Sequence, residues 1–530
     1  MKELVDIKPK ALKAIFLIIL VGWCGFFLAK KINLANSDIG RHIKNGELLV
    51  TGDKNIRQKV LHTNFYSYTN PDYPFVNHHW GAGVLFYLTW KQAGFTGLSL
   101  LYIGLCLIGF LLVFFIAWKE SSFWLAYAIA IIAAPLIGLR SEIRPEMITY
   151  VFGPLLFWIL LYYRKGRISY TWLFILPVLL AVWININTYF IFGLYLIGIF
   201  WIETVIACMR AKGKKDKKKE QLYYEKAVFL CLSGILSFFA VMLNPWGIKG
   251  VFYPFVINSQ IEFSVLELSS PFLLKATGEL PPGFESYFFL LGAMSVAFAL
   301  LIFKPFRKKF SPVVFIWGLT LCVLSIFQAR NVAFFSLFAI PLLAMTYKAV
   351  WVVVIELSRA QQSYLAFLLL NKRFLNLSKM IIIPFLFALM VAFNSYFVFD
   401  YNNTRGIGFC DNVIDALEYF KDQDISGRIF NDFDISSYLI FGLYPNEKIF
   451  VDHRPEAYPA GFFNNVLHSA ITNERSWGEI EKKYDINSIF LTNKPSYSKI
   501  NLFVNRRIQD PEWELRYSDK YAYILAKIPK

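Results

Sequence analysis

Charge is scarce in this sequence. Asp, Glu, Lys and Arg make up 17% of its 530 residues, against 56% hydrophobic residues. A soluble domain carries about 25% charged residues, so a soluble enzyme is excluded and a membrane protein is expected. Cysteine is scarce too, with six residues. Cys24, Cys106, Cys208, Cys231 and Cys322 lie in or beside apolar runs, where a thiol acts as a small hydrophobe. Cys410 stands alone in the C-terminal stretch, so no disulfide can form within that stretch. There is no CxxC and no zinc-type spacing. No Gly-, Pro- or Ser-rich linker precedes that stretch, which predicts that it docks close to the loops before it.

What is present is a series of apolar runs. A span takes about 20 mostly apolar residues. Eleven candidates fall at 11–29, 98–118, 123–139, 147–163, 172–183, 189–208, 227–243, 287–303, 313–327, 332–347 and 380–399. The run 80–93 is short and reads as interfacial. The run 349–370, broken by Glu356, Arg359, Gln361 and Gln362, reads as a cytoplasmic amphipathic helix. No small-residue cleavage site follows the first run, so it is read as a retained span.

Acids are the minority charge, at 37 against 54 Lys and Arg. Residues 400–530 hold 16 bases and 19 acids, so the excess lies entirely before residue 400. It gathers in alternate loops: Arg164 to Arg167, Arg210 to Lys226, Lys304 to Lys309, and Arg359 to Lys379. This is the positive-inside pattern of a protein held against anionic lipid, and it argues against nucleic acid as a partner. It predicts a cytoplasmic N-terminus, with loop 30–79 and residues 400–530 both outside, although loop 30–79 carries seven bases of its own.

That loop is the most polar segment near the spans. It holds four of the six histidines (His42, His62, His78, His79) and Asp38, just beyond the first span. Further polar groups fall in the outer turns between spans. Arg140, Glu142, Arg144 and Glu146 share one short turn, and Arg330 lies in another. Ionisable groups at a membrane edge are costly unless they face a polar cavity or headgroups, and arginine is the preferred fork for phosphate. Interfacial snorkelling and mutual Arg–Glu pairing is the alternative. Asn185 and Asn187 serve either hydroxyl recognition or turn formation. Asn244-Pro-Trp-Gly reads as a turn, and Glu262 and Glu267 as solvated loop acids that could approach a sugar. The pair His78–His79 is poor for one metal, because neighbouring side chains diverge.

Residues 400–530 read as a small α/β domain. Strands are expected at 428–432, 448–454 and 486–492, helices at 435–443, 462–471 and 477–484, and a hairpin at the end turning at 518–520. The alternation favours a mainly parallel sheet. Asp432, Asp434, Asp452, His453 and Arg454 then sit at strand ends, either as ligand groups or as turn and capping residues.

Asp38, FYSYTNPDYPFVNHHW, SEIRPEM, WININTYFIFG, LNPWG, RNVAFF and FNDFD…FVDHRPEAY together resemble a group of bacterial multi-span proteins assigned to the GT-C superfamily, the lipid-linked-sugar glycosyltransferases. The plan is similar to dolichyl-phosphate-mannose-type mannosyltransferases, the aminoarabinose transferase and RgtA/B/C/D-like proteins. The resemblance spans nearly the whole chain through short motifs. It implies an α-helical multi-span domain (1–399) with a C-terminal extracytoplasmic α/β domain (400–530). The implied activity is transfer of a sugar from a polyprenyl-phosphate donor to a glycan, lipid or protein acceptor outside the membrane. The superfamily's shared mark is an acid, often a pair, in the first outside loop. Asp38 occupies that place, but Ile39-Gly40-Arg41-His42 follows it instead of a second acid. The implied roles are Asp38 as general base, with His42, His78, His79, Arg140, Glu142, Arg144, Asn185, Asn187 and Arg330 binding substrate. No cofactor is called for, and a divalent cation held by Asp38 with a histidine is left open. The alternative for Asp38 is a cap on the helix IGRHIKNGELL. The alternative functions are a flippase for lipid-linked glycans and a non-catalytic envelope assembly protein.

Overall fold

The computed structural model describes residues 9–139, 142–257, 266–280, 283–360, 405–423, 425, 427–494 and 496–528. Among the described residues, seven helices are long and apolar enough to cross a membrane: Lys10–Leu28, Trp80–Glu120, Glu146–Arg164, Phe190–Gly213, Lys217–Ala240, Glu285–Ile302 and Ala329–Ser358. Three shorter apolar helices, Phe123–Ile137, Tyr170–Ile184 and Pro312–Phe327, join them. These ten match ten of the eleven runs expected from hydropathy. The eleventh, 380–399, and the expected domain boundary at 400 lie outside the described residues. The expected amphipathic helix is, over its described part, the end of one helix from Val332 to Ala360.

Three local features set the site end of the bundle. The helix α1 (Pro9–Leu28) leads into α2 (Ile39–Thr51) and α3 (Lys54–His62), two short polar helices of the first loop. Next, α4 (Trp80–Glu120) is 41 residues long, about 60 Å if straight, or twice a bilayer core. It breaks at Gly94, whose φ of 60° and ψ of −158° suit glycine, and is followed by α5 (Phe123–Ile137) and α6 (Glu146–Arg164). The piece expected to be interfacial is therefore set at an angle to the span that follows. Finally, α2 lies on the first part of α4 through glycine. A Cβ on Gly46 would come within 2.0 Å of the Gly83 carbonyl oxygen, so no other residue fits there without moving backbone.

The C-terminal segment forms a four-stranded sheet of order β1-β2-β4-β3, from β1 (Arg428–Asn431), β2 (Ile486–Thr492), β3 (Trp513–Ser518) and β4 (Ala522–Lys527). Only β1 and β2 are parallel. The β2–β4 and β3–β4 pairs are antiparallel, the latter forming the expected terminal hairpin. The expectation of a mainly parallel sheet is thus corrected. So is the strand at 448–454, which is extended but irregular. Its backbone groups are taken elsewhere: Phe450 N–H donates to Asn431 Oδ1 at 2.9 Å, Ser67 Oγ donates to the Phe450 carbonyl at 2.8 Å, and Tyr68 N–H donates to the Ile449 carbonyl at 3.0 Å. The first loop thus threads the sheet edge, with Ile449 bridging both Ile429 and Ser67. The helices Asp415–Asp422 and Ser498–Gln509 are absent from the expected set.

Docking of this domain on the first loop is direct. Lys30 bridges Arg405, and Ile32 bridges Phe409. Arg454 is 2% exposed. It forks onto Asp452, donates to Asn64 Oδ1 at 2.8 Å, and lies over the Phe75 ring at 4.3 Å. Asn64 in turn donates to the Ala457 carbonyl at 3.0 Å. Loop 30–79 and residues 405–528 therefore lie on one side of the bundle.

Breaking a buried ion pair costs about 3–5 kcal/mol, whereas replacing both members by apolar residues is near neutral. Arg454→Met should therefore loosen the docked domain, seen as faster hydrogen exchange across residues 405–528 of the full chain in detergent. The double variant Asp452→Leu with Arg454→Met should recover most of the protection. Equal exchange in wild type and Arg454→Met would remove Arg454 as the latch.

Candidate active site

Asp38 sits at the N-cap position of α2, with φ −70° and ψ −10°, but its side chain caps nothing. The helix-cap alternative is therefore set aside. The carboxylate faces two groups. Arg144 Nη2 lies 3.9 Å from Oδ2, and His453 Nε2 lies 3.9 Å from Oδ1. Both distances exceed a hydrogen bond, so the carboxylate is oriented by charge and left able to accept from a third group. Burial pushes its pKa up. Arg144 first, then His453, Arg41 and His42, outweigh burial and hold it well below the usual carboxylate range.

Arg144 is the pivot of the site. Its Nε and Nη2 both lie 3.0 Å from Glu142 Oε2 and its Nη1 donates to Glu267 Oε1 at 3.0 Å, while Nη2 also stands 3.9 Å from Asp38. Burial alone would favour the neutral form, but Glu142, Glu267 and Asp38 keep the guanidinium charged. Burial raises Glu142, and Arg144 pulls it back. Arg144 also lines a cavity of about 230 Å³ with Glu142, Glu267, Glu279, Arg330 and Ala333; Asp38 is not in its lining. The Arg330 and Arg144 turns meet in this one hollow. Arg140 lies outside the described residues, as does Glu262.

His453 comes from the C-terminal domain. Ser437 N–H donates to its Nδ1 at 3.2 Å, and a backbone N–H can only donate. Its proton is therefore on Nε2, the atom aimed at Asp38. Burial keeps the ring neutral by lowering its pKa. Gly40 makes the approach feasible: a Cβ there would lie 2.7 Å from the Ser437 carbonyl oxygen, beside the bond from Arg41 N–H to Ser437 Oγ at 2.9 Å. Arg41 itself is buried, with its Nε unpartnered.

His42, His78 and His79 form a wall of neutral rings. His79 Nδ1–H donates to the Ile186 carbonyl at 2.9 Å, leaving Nε2 as an acceptor, and burial lowers its pKa to about 4. Its ring packs on His78 at 3.9 Å and on His42 at 5.6 Å. His78 Nδ1–H donates to the Val76 carbonyl, and its ring rests against Tyr253. Burial holds both His42 and His78 well below the usual histidine value.

Asn185 and Asn187 are engaged in bracing this wall. Asn185 Oδ1 accepts from Trp80 Nε1 at 2.8 Å, its amide donates to Ala181 and Leu243 carbonyls, and Asn187 Oδ1 accepts from Tyr189 N–H at 2.8 Å. Asn244 Oδ1 accepts from Trp246 N–H, as expected of a turn.

The five candidate groups of the C-terminal domain divide. Asp432 caps its own loop, accepting from Asp434 N–H, Ile435 N–H and the Thr492 backbone and hydroxyl. Asp452 and Arg454 form the docking latch. Asp434 gathers Lys494 at 3.3 Å and the Tyr497 hydroxyl. His453 alone reaches Asp38.

A divalent cation at Asp38 does not fit this donor set. No group of three or more His, Cys, Asp or Glu side chains suited to a metal occurs among the described residues. Asp38 is also flanked by Arg144 and Arg41, which would repel a cation.

No family model matches the chain, and no curated protein matches it. Solved structures do. The Archaeoglobus fulgidus oligosaccharyltransferase tethered to an acceptor peptide superposes with TM-score 0.56 at 13% identity, over 98% of this chain and 74% of that one. The same enzyme, AglB, with an inhibitory peptide and a dolichol-phosphate gives TM-score 0.54 at 11% identity, over 93% and 71%. The chain has the GT-C fold. At these identities the likeness is one of fold, and its coverage takes in both the apolar bundle and the C-terminal sheet. ArnT from Cupriavidus metallidurans bound to undecaprenyl phosphate aligns over 98% of both chains at 10% identity, with a TM-score of 0.49 that is too low to carry an argument.

The depressed Asp38 pKa has a testable sign. Its contribution to stability is fully present above the unfolded carboxylate value of about 3.9 and is lost as pH falls toward the lower folded value. The Tm difference between wild type and Asp38→Asn should therefore be flat from pH 5 to 8 and shrink below about pH 4. A difference that already declines near pH 6 would mean that Asp38 is not held ionised by its cations.

Proposed function

We propose that this chain is a membrane glycosyltransferase that moves a sugar from a polyprenyl-phosphate-type donor to a glycan, lipid or protein acceptor on the outer face of the membrane. The observation that carries the reading is the ionised Asp38 carboxylate. It is free of hydrogen bonds among the described residues, lies 3.9 Å from Arg144, and so sits beside a hollow lined by two arginines. The GT-C fold supports the reading, as do the oligosaccharyltransferase structures, one with a dolichol-phosphate and one with a tethered acceptor peptide.

In this reading the bond between the sugar C1 and the phosphate oxygen breaks, and its electron pair stays on the phosphate. A phosphate leaves without strong protonation, so the site's task is to hold the growing negative charge. Arg144 and Arg330, lining one hollow, are suited to it. The acceptor hydroxyl attacks C1 from the opposite face, with inversion, and its proton passes to Asp38. A hydroxyl becomes strongly acidic only as its new C–O bond forms. A weak base in the correct protonation state is therefore enough, and a low pKa keeps Asp38 in that state. His453 Nε2–H and Arg144 hold the carboxylate in place. The neutral rings of His42, His78 and His79 bound the crevice without adding charge to it.

The positive-inside pattern supports placing this face outside, the N-terminus in the cytoplasm and residues 400–530 outside as a separate α/β domain.

The test is transfer by the full chain in nanodiscs, with radiolabelled polyprenyl-phosphate sugars and envelope extract. Asp38→Asn should lower the rate by about 10²–10⁴-fold, the usual contribution of a general base, with donor binding unchanged. Arg144→Met should weaken donor binding. It should also move the acid limb of the pH–rate profile upward, because burial alone raises the Asp38 pKa. Wild-type protein that binds the carrier and never releases it from the sugar would overturn the enzymatic reading. Full activity in Asp38→Asn would remove Asp38 from catalysis.

A further inference from the structure

The end of the bundle farthest from Asp38 holds a second polar cavity. The helix α6 (Glu146–Arg164) starts two residues after Arg144 and rises about 28 Å to Arg164. The helix Val332–Ala360 starts beside Arg330 and carries Thr346 and Lys348 about 21–24 Å along. Between these far ends and the start of helix Pro312–Phe327 lies a hollow of about 280 Å³, lined by Glu120, Arg164, Lys165, Lys309, Thr346 and Lys348.

Its charges do not balance. Glu120 is buried and shared by Lys165 and by Arg167, the latter at 2.6 Å. Arg164 is bound to Glu203 at 2.8 Å and Lys309 to Glu356 at 2.9 Å. Lys348 Nζ donates to the backbone carbonyl of Glu120 at 2.7 Å and meets no carboxylate among the described residues. Among the described residues, five cations thus share three acids. Burial, together with Arg167 and Arg164, lowers the Lys165 pKa despite its Glu120 partner, which is a sign of crowded positive charge. Thr346, 2% exposed, lines the same hollow, its hydroxyl unpartnered among the described residues. The N-terminus of the 16-residue helix from Pro312 adds the positive end of a helix dipole, with Ser311 and Val314 in the lining.

We infer that this cavity binds a phosphate group, at the bundle end opposite Asp38. A phosphate supplies the missing negative charge and enough acceptor oxygens for the Lys348 ammonium and the Thr346 hydroxyl together. The site lies where helix ends meet the membrane edge: Lys165 is the C-cap of α6 and Ser311 the N-cap of the helix that follows. An anionic phospholipid headgroup and a soluble phosphate share this chemistry. The inference is independent of the glycosyltransferase reading.

The experiment is thermal unfolding of the full chain in a neutral maltoside detergent. It is titrated separately with phosphatidylglycerol, phosphatidylcholine, and inorganic phosphate against chloride of equal ionic strength. A saturable rise in Tm with phosphatidylglycerol and none with phosphatidylcholine supports the site and identifies a lipid source. A rise with inorganic phosphate over chloride identifies a soluble one. In either case Lys348→Gln should raise the half-saturating concentration about fivefold, the effect of roughly one basic side chain. Thr346→Val, nearly isosteric, should weaken binding in the same direction and serves if the lysine variant does not fold. No Tm response to either anion, or a response unchanged in both variants, overturns the inference.

Discussion

The site depends on a buried guanidinium that is not part of it. Arg454, forked onto Asp452 and tied to Asn64, fixes the C-terminal domain on the first loop. A fork this deeply buried has one low-energy geometry, because either partner left alone would be an uncompensated charge. The residue beside it, His453, is thereby delivered to Asp38. Gly40 and Gly46 complete the constraint, letting α2 approach the Ser437 carbonyl on one side and the Gly83 backbone on the other. Asp38 is thus held at the junction of three parts of the chain: the first loop, the turn before α6, and the sheet domain.

The electrostatics of that junction follow from one asymmetry. Burial should neutralise every titratable group here, and it does so for His42, His78, His79 and His453. Asp38 escapes because Arg144 remains charged, and Arg144 remains charged because Glu142 and Glu267 pair with it. The result is a carboxylate without a hydrogen bond among the described residues, next to two others, Glu142 and Glu267, that are paired with Arg144. Such a site suits a reaction that releases an anion and collects a proton. It suits a divalent cation poorly.

Much of the bundle could be read in the sequence, since hydropathy is a local property. Ten apolar runs became ten apolar helices, although the helices Trp80–Glu120, Lys217–Ala240 and Val332–Ala360 extend ten or more residues beyond their runs. The outer turns were also legible: ionisable residues wedged between apolar runs need a polar destination, and Arg144 and Arg330 share one. The sheet domain was read less well. The run Lys448–Arg454 has the composition of a strand, yet Asn431, Ser67 and Tyr68 take its hydrogen bonds. Nothing in the local pattern announces a competitor almost 400 residues away. The same holds for the site. His453 was one of five equivalent polar groups at strand ends, and Arg41 looked like an ordinary base on a short helix. Asn185 and Asn187 carried a polar signal at a membrane edge, but their amides brace the turn that fixes His79.

The sequence by itself determined the class of the molecule, its apolar helices and the placing of an acid and several arginines in loops at one end of them. These follow from side-chain solvation, which each short segment expresses alone. Only the tertiary structure decided which charges meet, which histidine faces Asp38, and that a second cationic hollow lies one helix length away. Those outcomes depend on distances between segments far apart in the chain, set by glycine-allowed close approach and by a buried ion pair that tolerates one arrangement.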